Sequence, residues 1–250
     1  MKTTFQCIAT ALNIRSTPRG SIIGELRLGD LFEIDAQKSD LTWVSGNVLS
    51  GINTGKSGVV RRKWLIQYFQ NSPVLSSVNR DKAAQIIADR TLEFDTIKYS
   101  LGDKAKTWKD LQQKEYVDCS GWIYLLSKEI LNAYSLSTKP SQLFTYSDEQ
   151  ITNVGKITSQ IISANWLTED MFKPGCLVGI DFAEYSWDRD RALDIDHIVI
   201  VGEDANERFI SQSSSSGGGV NRVALSKWLA SNNGLIALGR MHLVDLLALP

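Results

Sequence analysis

Cys119 and His197 are the two residues whose types and settings could supply a nucleophile and its base. Cys119 lies in YVDCSGWIYLL, between an aspartate and a Ser-Gly pair and directly ahead of an apolar run. Trp122, Ile123, Leu125, Leu126 and Ile130 fall near helical spacing, which predicts a buried helix with the cysteine at its mouth. The first N–H groups of a helix have no intrahelical partner and its dipole is positive there, so a thiolate is favoured over a thiol. A cysteine ahead of an apolar helix is often just a small buried hydrophobe. Here Asp118 and Ser120 make the surroundings polar, which suits an exposed thiolate better. To act as a nucleophile it needs a base and an orienting group. The chain holds two histidines. His197 opens the β-branched strand pattern HIVIVGED behind acidic residues, whereas His242 is placed after the last predicted strand and read as surface or structural. The couple implies acyl transfer through a thioester, with His197 holding the thiolate and then protonating the leaving amine. Backbone N–H groups at the helix start, that of Cys119 included, would face the oxyanion.

The elements that must position this couple can be read in order. From Phe5 to about Phe69, short strand patterns alternate with turn signals and no long helix intervenes, which predicts a small all-β barrel or sandwich. QNSPVLSSVNR has the composition of a linker, and DKAAQIIADRTLEFDTI reads as a helix capped by Asp81. The nucleophile helix is expected from Cys119 to about Leu131, and SDEQITNVGKITSQII as another. FKPGCLVGIDF is a Pro-Gly turn entering a strand, and AEYSWDRDRALDID a charged insertion ahead of His197. HIVIVGED and ERFISQS are two adjacent strands. SQSSSSGGGV is by composition a flexible linker, and the rest gives a short helix and a closing strand.

Asp118-Cys119-Ser120-Gly121 before a hydrophobic helix, a Pro174-Gly175 strand, and His197-Ile198-Val199-Ile200-Val201-Gly202 together resemble the NlpC/P60 cysteine peptidases. KYSLGD resembles that family's Tyr-Trp-Gly-Gly element at Tyr99 and Gly102, departing at the second aromatic and second glycine, and Cys176 stands where the family has Asp. The resemblance implies a third, orienting residue on the strand after His197. Aligning Phe209-Ile210 with the family's hydrophobic pair puts Ser211 in that slot; Gln212 is the better partner chemically but is expected on the opposite face unless the strand is bulged. It also implies that Asp118 and Ser120 recognise the free α-amine of a wall-derived peptide, with Tyr99 at the pocket edge; the plainer role for Asp118 is to cap the helix. Over most of the first 70 residues, Leu12-Asn13-Ile14-Arg15-Ser16 with Pro18, Leu28-Gly29-Asp30, Trp43-Val44, Gly58-Val59-Val60 and Trp64-Leu65 resemble a bacterial SH3 (SH3b) domain. Such domains bind wall peptides or restrict access to a cleft, and Trp43 and Trp64 would line a core or groove.

The formal net charge of −1 offers no overall attraction to nucleic acid or anionic membrane. No apolar run approaches the roughly 20 residues of a spanning helix. The amino terminus is read as part of the fold, so a cytoplasmic setting, or export without a signal peptide, is expected. Cys7, Cys119 and Cys176 are too few and scattered for a disulfide framework or a metal site, and Cys7 and Cys176 read as core. No metal or cofactor is expected.

The fold expected is therefore α+β: a small all-β SH3-like barrel over residues 1–70, a linker over 71–80, and a papain-like domain over 81–250 with a helix packed on an antiparallel sheet. The function expected is hydrolysis of peptidoglycan stem peptides or muropeptides, at the γ-D-glutamyl–diamino acid bond. Three alternatives stay open: a leaderless antibacterial effector or phage lysin of the same chemistry, the effector requiring an immunity partner; an amidase or acyltransferase of the wider group; and an inactive wall-binding protein.

Overall fold

The computed structural model describes residues 2–7, 9–35, 42–67, 75–143, 146–163, 167–182 and 191–250. The chain divides into two units, Met1–Val74 with Trp187–Asp194, and Leu75–Ser186 with Ile195–Pro250. Residues 71–74 of the expected linker and 183–190 of the charged insertion lie outside the described residues.

The first unit is one antiparallel sheet of β1 (Lys2–Cys7), β2 (Ala11–Arg15), β3 (Ile22–Arg27), β4 (Leu31–Asp35), β5 (Trp43–Val48), β6 (Ser57–Arg61) and β7 (Leu65–Gln67), ordered β3-β2-β6-β5-β4-β1-β7. Its strands alternate as period-2 patterning requires. Leu12 and Ile14 of β2 and Phe32 and Ile34 of β4 turn inward and meet Phe5, Cys7, Leu26 and Val60 in one core. Trp43 is buried with the Arg61 guanidinium 4.3 Å above its ring, and Trp64 packs against the core. β4 and β5 approach so closely at Gly46 that a Cβ there would stand 2.0 Å from the Glu33 carbonyl oxygen.

The second unit opens with α1 (Asp81–Glu93). Arg80 holds the N-cap position of α1, and Asp81, expected as the cap, lies in the first turn. Then come β8 (Lys98–Tyr99), α2 (Trp108–Lys114), β9 (Tyr116–Val117), α3 (Cys119–Ala133), α4 (Ser147–Thr158), β10 (Ile162–Ser163) and β11 (Cys176–Ile180). β12 (His197–Glu203), β13 (Arg208–Ser214), β14 (Gly219–Ala224), α5 (Leu225–Ala237) and β15 (Met241–Asp245) complete the unit. The strands form one sheet, β10-β15-β11-β12-β13-β14-β8-β9, antiparallel except for the parallel β8–β9 pair. β11 and β12 are apolar on both faces because both faces are covered. Val178, Ile180, Val199, Val201 and Ile210 pack under Leu225 and Trp228 of α5. The opposite face lies under α1, α3 and α4: Ile87 comes against Gly202, and Ile151 against Gly179.

The Ser/Gly stretch is not a linker. β13 turns at Ser215–Gly218, where the Gly218 N–H donates to the Ser215 carbonyl, and pairs residue by residue with β14. Gly219 makes this possible: its φ is +151°, and a Cβ there would stand 1.9 Å from the Ile97 carbonyl oxygen. His242 lies inside β15, not after it, and is fully buried. No helix among the described residues is long and apolar enough to cross a membrane.

Candidate active site

Asp118 follows the short strand β9 in an extended conformation and is the N-cap of α3. Its Oδ1 accepts the Gly121 N–H at 2.7 Å, so the sequence-expected capping role is filled. This cap puts Cys119 at the first helical position. The helix is fixed behind it by Trp122, fully buried against Phe94 and Trp108, whose indole N–H donates to Ser211 Oγ at 3.0 Å. Gln150 of α4 braces the same turn, its side-chain amide donating to the Ser120 carbonyl at 2.8 Å.

Cys119 is only 6% exposed, against the exposed thiolate expected. Burial first, and then the Asp118 carboxylate, push its thiol above the ordinary value. The backbone amide of Ile198, the Lys104 ammonium and the Ser120 amide pull in the other direction without prevailing. The Ile198 contact matters for geometry, since it sets Cys119 against the peptide that follows His197.

His197 begins β12, opposite Ile180 of β11, with the Phe182 ring stacked on its imidazole at 6.0 Å. Burial lowers its pKa, and the hydrogen bond it makes to the Gln212 side-chain oxygen raises it part of the way back. Neutral imidazole and neutral thiol are therefore the favoured resting forms, in place of the preformed ion pair expected from the helix dipole.

The structure brings Gln212, not Ser211, to the histidine. His197 Nε2 and Gln212 Oε1 are 2.8 Å apart. The register is regular: Ile200 lies opposite Ser211 and Val201 opposite Ile210, so His197, Val199, Ile210 and Gln212 share a face with no bulge. Ser211 points to the helical face, fully buried between Trp122 Nε1 and Thr91 Oγ1, the latter at 2.7 Å. The expected assignment slipped by one residue, and a one-residue slip exchanges faces.

A chain of partners fixes the imidazole tautomer. The Gly219 carbonyl can only accept, so the Asn221 side-chain NH2, 2.7 Å away, donates to it. Asn221 Oδ1 must then accept from Gln212 Nε2 at 3.1 Å, which turns Gln212 Oε1 towards His197 Nε2–H. The Nδ1 lone pair is left to take a proton. Asn221 was missed in the sequence, where nothing marks it except its place opposite Gln212 in the β13–β14 register.

Tyr99 of β8 is half-buried; burial, then the charges of Cys119 and Asp118, raise its pKa, which places it beside both. Asp118 and Ser120 are each 3% exposed and are held by an unexpected residue. The Lys104 ammonium bonds both Asp118 Oδ2 and Ser120 Oγ and lies 5.6 Å from the centre of the Tyr146 ring. Among the described residues no group of three or more His, Cys, Asp or Glu side chains could hold a metal.

No protein-family model matches the sequence, and no curated protein matches it. Among solved structures, the chain is similar to NlpC2 from Trichomonas vaginalis at 14% identity and a TM-score of 0.36, over 90% of this chain and 68% of that one. It is similar to an N-acetylmuramoyl-L-alanine amidase from Bacteroides uniformis at 13% identity and a TM-score of 0.41, over 66% of this chain and 98% of that one. It is also similar to an NlpC/P60 endopeptidase from Photobacterium damselae subsp. piscicida at 13% identity and a TM-score of 0.37, over 99% of this chain and 54% of that one. These likenesses are loose, and the chemistry follows from the side chains themselves.

Proposed function

We propose that this chain is a cysteine-dependent amide hydrolase of the NlpC/P60 type that cuts the stem peptides of peptidoglycan. The observation that carries the reading is the His197–Gln212 hydrogen bond at 2.8 Å, anchored through Asn221 to a backbone carbonyl, with the next backbone amide, that of Ile198, reaching a cysteine at a helix start. Gln212 holds the proton on Nε2, and His197 Nδ1 takes the Cys119 proton as sulfur attacks the carbonyl carbon. The Cys119 N–H faces the developing oxyanion. The imidazolium then protonates the departing amine, leaving a thioester on Cys119. Water, deprotonated by the same imidazole, hydrolyses the thioester and restores the thiol. With both groups neutral at rest, the proton moves within the attack step.

Peptidoglycan as the substrate rests on the resemblance of Asp118–Gly121 and His197–Gly202 to wall peptidases, and the γ-D-glutamyl–diamino acid bond is the finer form of the same proposal. The seven-stranded first unit is read as an SH3b-type module that contacts the wall. The test is digestion of purified sacculi and of free muropeptides by the wild type and Cys119→Ala, with products identified by mass spectrometry. New peptide termini made by the wild type alone support the reading. Intact substrates in every tube would overturn it.

A further inference from the structure

Every acceptor position of the buried Asp118 carboxylate is taken from within the chain. Oδ1 receives the Gly121 N–H at 2.7 Å and the Ser120 hydroxyl at 3.1 Å. Oδ2 receives the Gly102 N–H at 3.2 Å and the Lys104 ammonium. An ionised carboxylate has about four such sites, so none remains for a ligand cation. The Ser120 hydroxyl donates to Asp118 and accepts from Lys104, so one lone pair remains and no negative charge stands behind it. A substrate ammonium would have to displace Lys104 from a side chain only 5% exposed and leave a second cation beside it.

Lys104 itself is not exhausted. An ammonium has three donors. Two go to Asp118 and Ser120, and Tyr146 offers only its ring face; the lysine side chain is 23% exposed. Among the described residues, the group held by both neighbours of Cys119 is therefore a cation with a donor to spare, suited to a carbonyl or carboxylate oxygen. An unpaired Asp118 would present the opposite sign.

We propose that Lys104 is the specificity-determining residue of this site: it fills the cation position beside Cys119, so the protein accepts substrates whose adjoining residue is N-acylated or anionic and rejects those with a free α-ammonium. The inference rests on Cys119 being the nucleophile of the proposed hydrolase, and it names the substrate class: stem peptides whose amino end is still in amide linkage.

The test compares one stem tripeptide with its amino end free and the same tripeptide N-acetylated, on the full-length wild type, Lys104→Met and Lys104→Arg. The wild type and Lys104→Arg should favour the acetylated peptide in kcat/KM. Lys104→Met, which exposes Asp118, should move the ratio towards the free amine by about tenfold to a hundredfold, the worth of a charge-assisted hydrogen bond. A ratio unchanged between wild type and Lys104→Met overturns the inference and leaves the hydrolase intact. A second readout needs no turnover: alkylation of Cys119 by iodoacetate and by 2-bromoethylamine, each scaled to a free thiol. The wild type should favour the anionic reagent, and Lys104→Met should lose that preference. If neither peptide is cut, the hydrolase reading fails while the alkylation ratio still decides Lys104. Should Lys104→Met not fold, Lys104→Met/Asp118→Asn removes both charges and should react without charge preference; retention of the wild-type preference would overturn the inference.

Discussion

Replacing Gln212 with alanine tests the orienting bond most sharply. The change removes the acceptor 2.8 Å from His197 Nε2 and leaves Asn221 Oδ1 without its donor. In the transition state that bond is made by an imidazolium, and hydrogen bonds to charged groups contribute about 1.5–3 kcal/mol. At about 1.36 kcal/mol per tenfold, kcat should fall by roughly 10- to 150-fold. The pH profile carries a second sign. Burial depresses the His197 pKa and the Gln212 bond raises it, so losing Gln212 lets it fall further. Catalysis requires the neutral base, so the acid limb of kcat/KM should move to lower pH in Gln212→Ala and to higher pH in Gln212→Glu, where a carboxylate favours the imidazolium. The assay is muropeptide turnover by timed chromatography, with thermal melts to establish that each variant is folded. Ser211→Ala is the contrast. It strands the Trp122 indole N–H and should cost about 1–3 kcal/mol of stability while leaving the acid limb in place. If Gln212→Ala keeps kcat within twofold with an unmoved limb, or if Ser211→Ala moves the limb, the assignment is wrong.

Asn221→Leu removes the anchor of Gln212 and not its contact with His197, so a smaller drop in kcat, about tenfold, is expected in the same assay. Arg80 and Asp245 form a buried two-pronged pair at 2.7 and 3.2 Å, tying the segment before α1 to β15. Arg80→Met should cost about 3–5 kcal/mol in urea unfolding, and Arg80→Met/Asp245→Leu less, because the single change leaves a buried charge. His242 is fully buried and its pKa is pushed down from 6.5 to about 4. The unfolded chain therefore binds the extra proton between those values, and stability should fall by up to about 3 kcal/mol as pH drops from 6.5 to 4. His242→Gln should remove that part of the slope; a slope identical to the wild type would place the titration elsewhere.

The places of Cys119 and His197 in the fold were legible because each opens an element whose pattern is local. Asp118-Cys119-Ser120-Gly121 stands before a run of helical apolar spacing, and His197 before an apolar strand. What depended on pairing between strands was not. Gln212 and Ser211 are neighbours in sequence, and only the β12–β13 register decides which faces His197. The Ser/Gly stretch has a linker's composition, yet the close approach at Gly219 and the β13–β14 ladder make it a hairpin that carries Asn221. Lys104 belongs to no motif; its ammonium comes to Asp118 across 14 residues of chain, a closure that local patterning does not encode. The thiol's environment was also misjudged, because polar neighbours at 118 and 120 suggested exposure although both are themselves buried.

The central claim is that Cys119 becomes acylated by a wall-peptide carbonyl. Acid quenching of wild type and Cys119→Ala during turnover, followed by intact mass and peptide mapping, tests it directly. The account predicts a transient adduct with the mass of the acyl portion of the stem peptide, mapped to Cys119, released by hydroxylamine and missing from Cys119→Ala. Undiminished hydrolysis by Cys119→Ala, or an adduct mapping to another residue, would contradict it.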